Sequence, residues 1–154
     1  MKEKLLVSAC LLGMACRYDA RKKEGKFGKE GATLEEILPR LCERYELVPY
    51  CPEIYGGLPT PRVPAERIRD RVITREGTDV TEQYRRGADG ARMLCRTLGI
   101  RRALLKAKSP ACGVGKIYDG THSGTLTDGN GVCAEALLSD GILVVNEENV
   151  DILL

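Results

Sequence analysis

RRALLKAKSPACGVG, residues 101–115, is the stretch that decides the fold. Ala103-Leu104-Leu105-Lys106-Ala107 is an almost continuous apolar run of strand length, the pattern of a strand covered on both faces. It stops at Lys108-Ser109-Pro110-Ala111-Cys112-Gly113. Pro110 has no N–H for a ladder and pushes Ser109 towards extended or turn geometry. A strand end therefore presents a cation, a hydroxyl and a thiol close together. The same event occurs twice upstream. Leu5-Leu6-Val7-Ser8-Ala9 runs into Cys10, and Glu46-Leu47-Val48-Pro49-Tyr50 runs into Cys51, Pro52 and Glu53.

Between these strands the pattern changes to that of helices and turns. Residues 10–19 read as a loop with one turn, and residues 20–31 as a charged, exposed connection. Thr33 with Glu36 forms a capping box ahead of the stripe Leu34, Ile37, Leu38, Leu41, inside which Pro39 is expected to kink or shorten the helix. Residues 51–64 hold four prolines and read as a loop, and residues 65–79 as a short extended excursion around Val72-Ile73-Thr74. Asp79 with Glu82 predicts a second capping box. The helical face Val80, Tyr84, Ala88, Ala91, Cys95, Leu98 follows, stopped by Gly99. Residues 117–131 are glycine-rich and fit a loop with one hairpin. A helix over 132–138, a fourth strand over 141–145 and a last helical turn complete the chain.

Strands alternating with helices predict an α/β fold, a small three-layer sandwich over residues 1–154 as one domain. Right-handed crossovers favour a mostly parallel four-stranded sheet in the flavodoxin-like order 2-1-3-4. Ligands of such sheets bind beyond the carboxyl ends of the strands, at the switch point. Cys10, Cys51 and Cys112 would then meet at one rim.

Composition narrows the chemistry. The chain has 154 residues and a formal charge of +2, which makes no case for a dedicated nucleic-acid or membrane protein. No long apolar run or leader is visible, so a soluble, cytoplasmic protein is expected. Seven cysteines, an odd number, fit metal or thiol chemistry better than an extracellular disulfide framework. A single histidine excludes a two-histidine metal site. Cys42 and Cys95 fall in helices and Cys133 near a helix start, and all three read as packed side chains. Cys16 stays open as a loop thiol near the site or a packed one.

Three converging thiols are soft ligands that do not suit magnesium or calcium. A structural zinc site wants four, commonly from CxxC pairs, and no CxxC occurs. A 4Fe-4S cluster held by three cysteines leaves one iron open to a substrate, which fits three isolated cysteines better than electron transfer. Two alternatives stand beside it: a metal-free thiol enzyme with Cys112 as nucleophile beside Ser109, and a non-catalytic cluster- or sulfur-binding module.

Cys10-Leu-Leu-Gly with Cys16-Arg-Tyr-Asp, Cys51-Pro-Glu with Gly56-Gly57-Leu-Pro-Thr-Pro-Arg62, Lys108-Ser-Pro-Ala-Cys112-Gly and Asp128-Gly-Asn-Gly-Val132 form an ordered set. Across nearly the whole chain it resembles the thiouracil desulfidase (TudS) family, a widespread bacterial family long described only as a domain of unknown function. The resemblance implies a 4Fe-4S cluster on Cys10, Cys51 and Cys112, Glu53 and Ser109 as the catalytic pair, and conversion of thiouracil to uracil plus sulfide. Ala20 departs from the family pattern, which often has glycine after Arg-Tyr-Asp, and Ala111 occupies a variable position. The expected mechanism is non-redox. The open iron captures the exocyclic sulfur, water adds with help from Glu53, and Ser109 positions the base. The expected substrate is a small thiolated base or nucleoside. Thiolated tRNA stays open, with the weak net charge arguing mildly against it. Glu53 also reads as a carboxylate paired with Arg62, itself either a structural partner or a group that orients a base carbonyl, and Ser109 as a turn residue before proline. Lys108 reads as an exposed cation or one that offsets cluster charge, and His122 as a solvated loop histidine or a proton shuttle.

Overall fold

The computed structural model describes residues 1–20 and 25–154. Along the chain run β1 (Glu3–Ser8), α1 (Leu34–Arg44), β2 (Tyr45–Tyr50), α2 (Pro52–Tyr55), β3 (Ala65–Ile68) and β4 (Arg71–Thr74). They are followed by α3 (Thr81–Leu98), β5 (Arg102–Leu105), β6 (Lys116–Tyr118), β7 (Leu126–Asp128), α4 (Val132–Ser139) and β8 (Leu143–Asn146), with 3₁₀ turns at Ala9–Leu12 and Glu147–Leu153. The main sheet is parallel, in the order β2-β1-β5-β8. For the four principal strands this is the expected order 2-1-3-4. β3–β4 and β6–β7 are antiparallel pairs outside it.

Side chains alternate across a strand, so the apolar runs feed two cores. Leu6, Ala103, Leu105 and Val144 pack with Tyr84, Ala88 and Leu137 of α3 and α4. Leu5, Val7, Leu104 and Val145 pack on the other face with Ile37 and Leu41 of α1, Phe27 and Val150. Among the described residues no helix is long and apolar enough to cross a membrane.

Several local expectations change. β5 ends at Leu105, short of Ala107, because side chains take over its next two amides. The Lys106 N–H donates to Ser8 Oγ at 2.9 Å and the Ala107 N–H to Glu147 Oε1 at 2.7 Å. α1 runs through Pro39 without shortening; the missing N–H costs the bond to Glu35, and burial of Ile37 and Leu41 holds the helix down. Thr33 caps α1 as expected, its hydroxyl accepting from the Glu36 N–H at 3.3 Å and donating to Glu36 Oε1 at 3.1 Å. The Asp79–Glu82 box does not: Asp79 Oδ1 accepts from the Thr81 N–H at 2.9 Å, a turn bond two residues on. Residues 51–64 contain the short helix α2 rather than loop alone. Cys42 is exposed, not packed, because it falls off the α1 stripe. Of the connection over 20–31, residues 21–24 lie outside the described residues. Phe27 in the remainder is buried and bridges to Ala32.

Candidate active site

The carboxyl ends of β1, β2 and β5 deliver the site. Cys10 lies in the 3₁₀ turn after β1, Cys51 directly follows β2, and Cys112 lies in the 109–113 turn beyond β5. All three line one cavity of about 490 Å³, together with Glu53 and Ser109.

Glu53 sits in the first turn of α2, which packs directly on α3. A Cβ on Gly56 would lie 2.0 Å from the Gln83 carbonyl oxygen, and one on Gly87 would lie 2.1 Å from that of Pro52. Glycine at both positions lets the two backbones touch. That approach brings the buried Tyr84 hydroxyl to Glu53 Oε2 at 2.8 Å. Arg62 Nη2 reaches the same oxygen at 2.9 Å. The pairing of Glu53 with Arg62 is therefore real, and it lies in the cavity wall rather than on an open loop. Burial opposes the Arg62 charge, but Glu53 outweighs it and the guanidinium is held above its usual range. Arg62 also donates to the Cys16 carbonyl at 3.2 Å, so one guanidinium ties the Glu53 segment to the cysteine loop.

Ser109 Oγ accepts from the N–H groups of Ala111 at 3.1 Å and Cys112 at 2.9 Å. The turn role is thus genuine, and it leaves the hydroxyl hydrogen free. Gly131 backs this turn: a Cβ there would lie 2.4 Å from the Ala111 carbonyl carbon. Cys112 is 4% exposed, and its burial pushes the thiol well above its ordinary value. The nearby Ser8 hydroxyl acts in the opposite direction and only partly offsets that burial. The Cys51 thiol reaches the Cys16 carbonyl at 4.0 Å, and the neighbouring Cys10 thiol pushes the Cys16 thiol up. Its bond to Cys16, then burial, raises the Cys51 thiol. Cys95 and Cys133 are buried in the α3–α4 core, Cys133 directly behind the Cys112 turn, its N–H donating to the Ala111 carbonyl at 2.9 Å.

His122 is not a solvated loop residue. It lines the same cavity and its side chain is 18% exposed, because Glu66 of β3 holds the loop against the site. Glu66 Oε1 accepts from the N–H groups of Gly120 at 2.9 Å and His122 at 3.0 Å. Lys108 is half-exposed at the cavity rim, with a left-handed backbone at φ 68°. Cys16, left open between a loop thiol near the site and a packed one, is a buried residue of the cavity wall; Tyr84, Ser8 and Glu66 were not singled out by sequence reasoning as site residues. Tyr84 shows there only as a core position of α3, and no local spacing signals Ser8 or Glu66.

The 2-thiouracil desulfurase family model matches residues 5–149. The chain belongs to the 2-thiouracil desulfurase family. The Bacillus subtilis (strain 168) protein YbbK, itself uncharacterized, is 36% identical over 157 residues, covering 96% of this chain and 97% of YbbK. A solved structure of the [4Fe-4S]-dependent thiouracil desulfidase TudS is 43% identical and superposes with a TM-score of 0.86, covering 99% of this chain and 95% of that one. The fold is thus shared with TudS over nearly the whole of both chains.

Proposed function

We propose that this chain is a desulfidase that converts a thiolated uracil-type base to uracil and sulfide, using a 4Fe-4S cluster held by Cys10, Cys51 and Cys112. The carrying observation is that these three thiols, Glu53 and Ser109 line one cavity although they come from separate segments. The family match and the similarity to a [4Fe-4S]-dependent thiouracil desulfidase support the cofactor and substrate class. The donor set fits the cluster. Three thiolates suit iron and not hard cations. Among the described residues no group of three or more His, Cys, Asp or Glu is spaced to hold a single metal ion. When bound, the cluster supplies a soft Lewis acid for sulfur, with one iron free of protein thiolate.

The chain's own residues carry the proton chemistry. Tyr84 and Arg62 both engage Glu53 Oε2, leaving Oε1 to take a proton from water. Two backbone amides occupy Ser109 Oγ, so its hydrogen donates to the base. The water oxygen joins the thiolated ring carbon, the C–S bond breaks, and the water protons leave with sulfide. No electrons are exchanged. A metal-free enzyme using Cys112 is disfavoured, because burial keeps that thiol protonated and hence a poor nucleophile. The same reading treats residues 1–154 as one domain acting in the cytoplasm, where its free cysteines stay reduced.

The test is oxygen-free reconstitution with iron and sulfide, followed by assay of thiouracil conversion and of released sulfide. Glu53→Ala is expected to keep the cluster's absorbance and lose turnover. Colourless protein that turns over thiouracil would overturn the proposal.

A further inference from the structure

We infer that His122 Nε2 is a hydrogen-bond acceptor for the ring N–H of the base, and that Glu66 is the positioning residue that makes it so. The inference rests on the desulfidase reading above and adds the contact that recognises the ring N–H beside the reacting carbon.

Among the described residues the imidazole has a charged neighbour at Nδ1 and none at Nε2. Its Nδ1 faces Glu66 Oε2 at 3.6 Å, while Glu66 Oε1 accepts the amides of Gly120 and His122. Nε2 is buried and, among the described residues, has no hydrogen-bond partner. A buried polar nitrogen without a partner is costly, and here it belongs to a cavity-lining residue. The backbone of His122 is also held in the left-handed region, at φ 55°. The loop is pinned against β3: a Cβ on Gly120 would lie 2.2 Å from Ile68 Cγ1. Strain and an unsatisfied atom at one position mark a group kept for something that enters.

Glu66 selects what enters. A carboxylate beside Nδ1 keeps the proton of the neutral ring on Nδ1, so Nε2 carries the lone pair. An acceptor there calls for a donor. A uracil-type base offers one, the ring N–H between its two carbonyl positions, and keeps it whichever of the two is thiolated.

The chain has one histidine, so ¹⁵N-imidazole NMR reads it directly. In the cluster-free protein, titration with uracil is expected to shift the Nε2 resonance and leave Nδ1 nearly still. His122→Asn tolerates the left-handed backbone but does not reach the base; in the reconstituted enzyme it should raise KM for 2-thiouracil about tenfold with little loss of kcat. It should also lose discrimination against the analogue methylated at that ring nitrogen. Glu66→Gln keeps an acceptor for the two loop amides but turns an N–H towards Nδ1. The proton should move to Nε2, a tautomer change that a merely structural role would not produce. Turnover of thiouracil with no Nε2 response to uracil, or His122→Asn with unchanged KM, overturns this inference and leaves the desulfidase reading intact. An Nε2 response without turnover upholds the contact and overturns the reaction.

Discussion

The phenol of Tyr84 donates to the carboxylate of Glu53 at 2.8 Å, joining the middle of the core helix α3 to the first turn of α2. Tyr84 is 2% exposed, so this hydroxyl is largely shielded from bulk solvent. Arg62 approaches the same carboxylate oxygen, and the two donors together set its direction. A hydrogen bond to a charged, shielded carboxylate is worth about 1.5–3 kcal/mol. Tyr84→Phe should therefore lower stability by about 1.5 kcal/mol, read from the urea midpoint, and cut kcat several-fold. Cluster absorbance should be unchanged, since Tyr84 holds no thiol.

Cys16 lies beside the thiols of two proposed ligands without being counted among them. Its carbonyl is tied down by Arg62, which holds the Cys16 segment at the cavity wall. Hydrogen bonds to cluster sulfurs tune a cluster rather than hold it. Alanine at Cys10, Cys51 or Cys112 should abolish the cluster's absorbance. Cys16→Ala should retain it with a shifted reduction potential. Loss of iron from the Cys16 variant, measured per chain, would make it a fourth ligand and close the open position.

Loading should depend on pH with a definite sign. Hydrogen bonding to Cys16 and burial raise the Cys51 thiol, and burial raises Cys112. Both are protonated in the cluster-free protein near neutrality, whereas a cluster binds thiolates. Loading therefore releases protons and is favoured by higher pH. Iron incorporated under oxygen-free conditions should increase from pH 7 to pH 9, and a flat profile would contradict the raised thiols.

Ala20 occupies a backbone conformation that suits glycine, φ 55°, in the turn where its N–H donates to the Arg17 carbonyl at 2.9 Å. The left-handed region costs an L-residue about 1–2 kcal/mol, partly offset by the greater freedom of glycine in the unfolded chain. Ala20→Gly should stabilise the protein by about 0.5–1 kcal/mol, a rise in Tm of about 2–3 °C for a chain of this size. The departure noted from the family pattern at this position thus has a structural cost that calorimetry can measure.

What the sequence made legible was whatever is written locally. Apolar runs broken by Cys10, Cys51 and Ser109-Pro110 announced the strands and the rim where they end. The Thr33–Glu36 box sits within one helical turn, and Gly99 adopts the left-handed cap expected of it. Contacts between distant segments were not legible. Ser8 takes the Lys106 amide and Glu147 the Ala107 amide, so β5 stops two residues before its apolar run does. Glu66 reaches His122 across 56 positions, and this turns a histidine that reads as solvated into part of the cavity wall. Asp79 and Glu82 had capping-box spacing, yet Asp79 bonded Thr81 instead, because the Thr81 hydroxyl is engaged by the Val72 amide of β4. Spacing proposes such partners, and tertiary neighbours decide among them.

Gly87 shows how a helix glycine can place chemistry that it does not perform. In an ordinary helix interior Gly→Ala stabilises by about 1 kcal/mol. Here the new Cβ would lie 2.1 Å from the Pro52 carbonyl oxygen and 2.7 Å from its carbon, and backbone cannot swing aside as a side-chain tip can. Overpacking of this kind costs about 1–3 kcal/mol, so Gly87→Ala is expected to destabilise, reversing the usual sign. Pro52 lies between Cys51 and Glu53, and displacing it moves a proposed ligand and a proposed base together. The variant should show both a lower urea midpoint and weakened cluster absorbance, whereas Tyr84→Phe should show only the first. A Gly87→Ala protein as stable as the parent and fully loaded would mean that α2 can slide on α3 without disturbing the site.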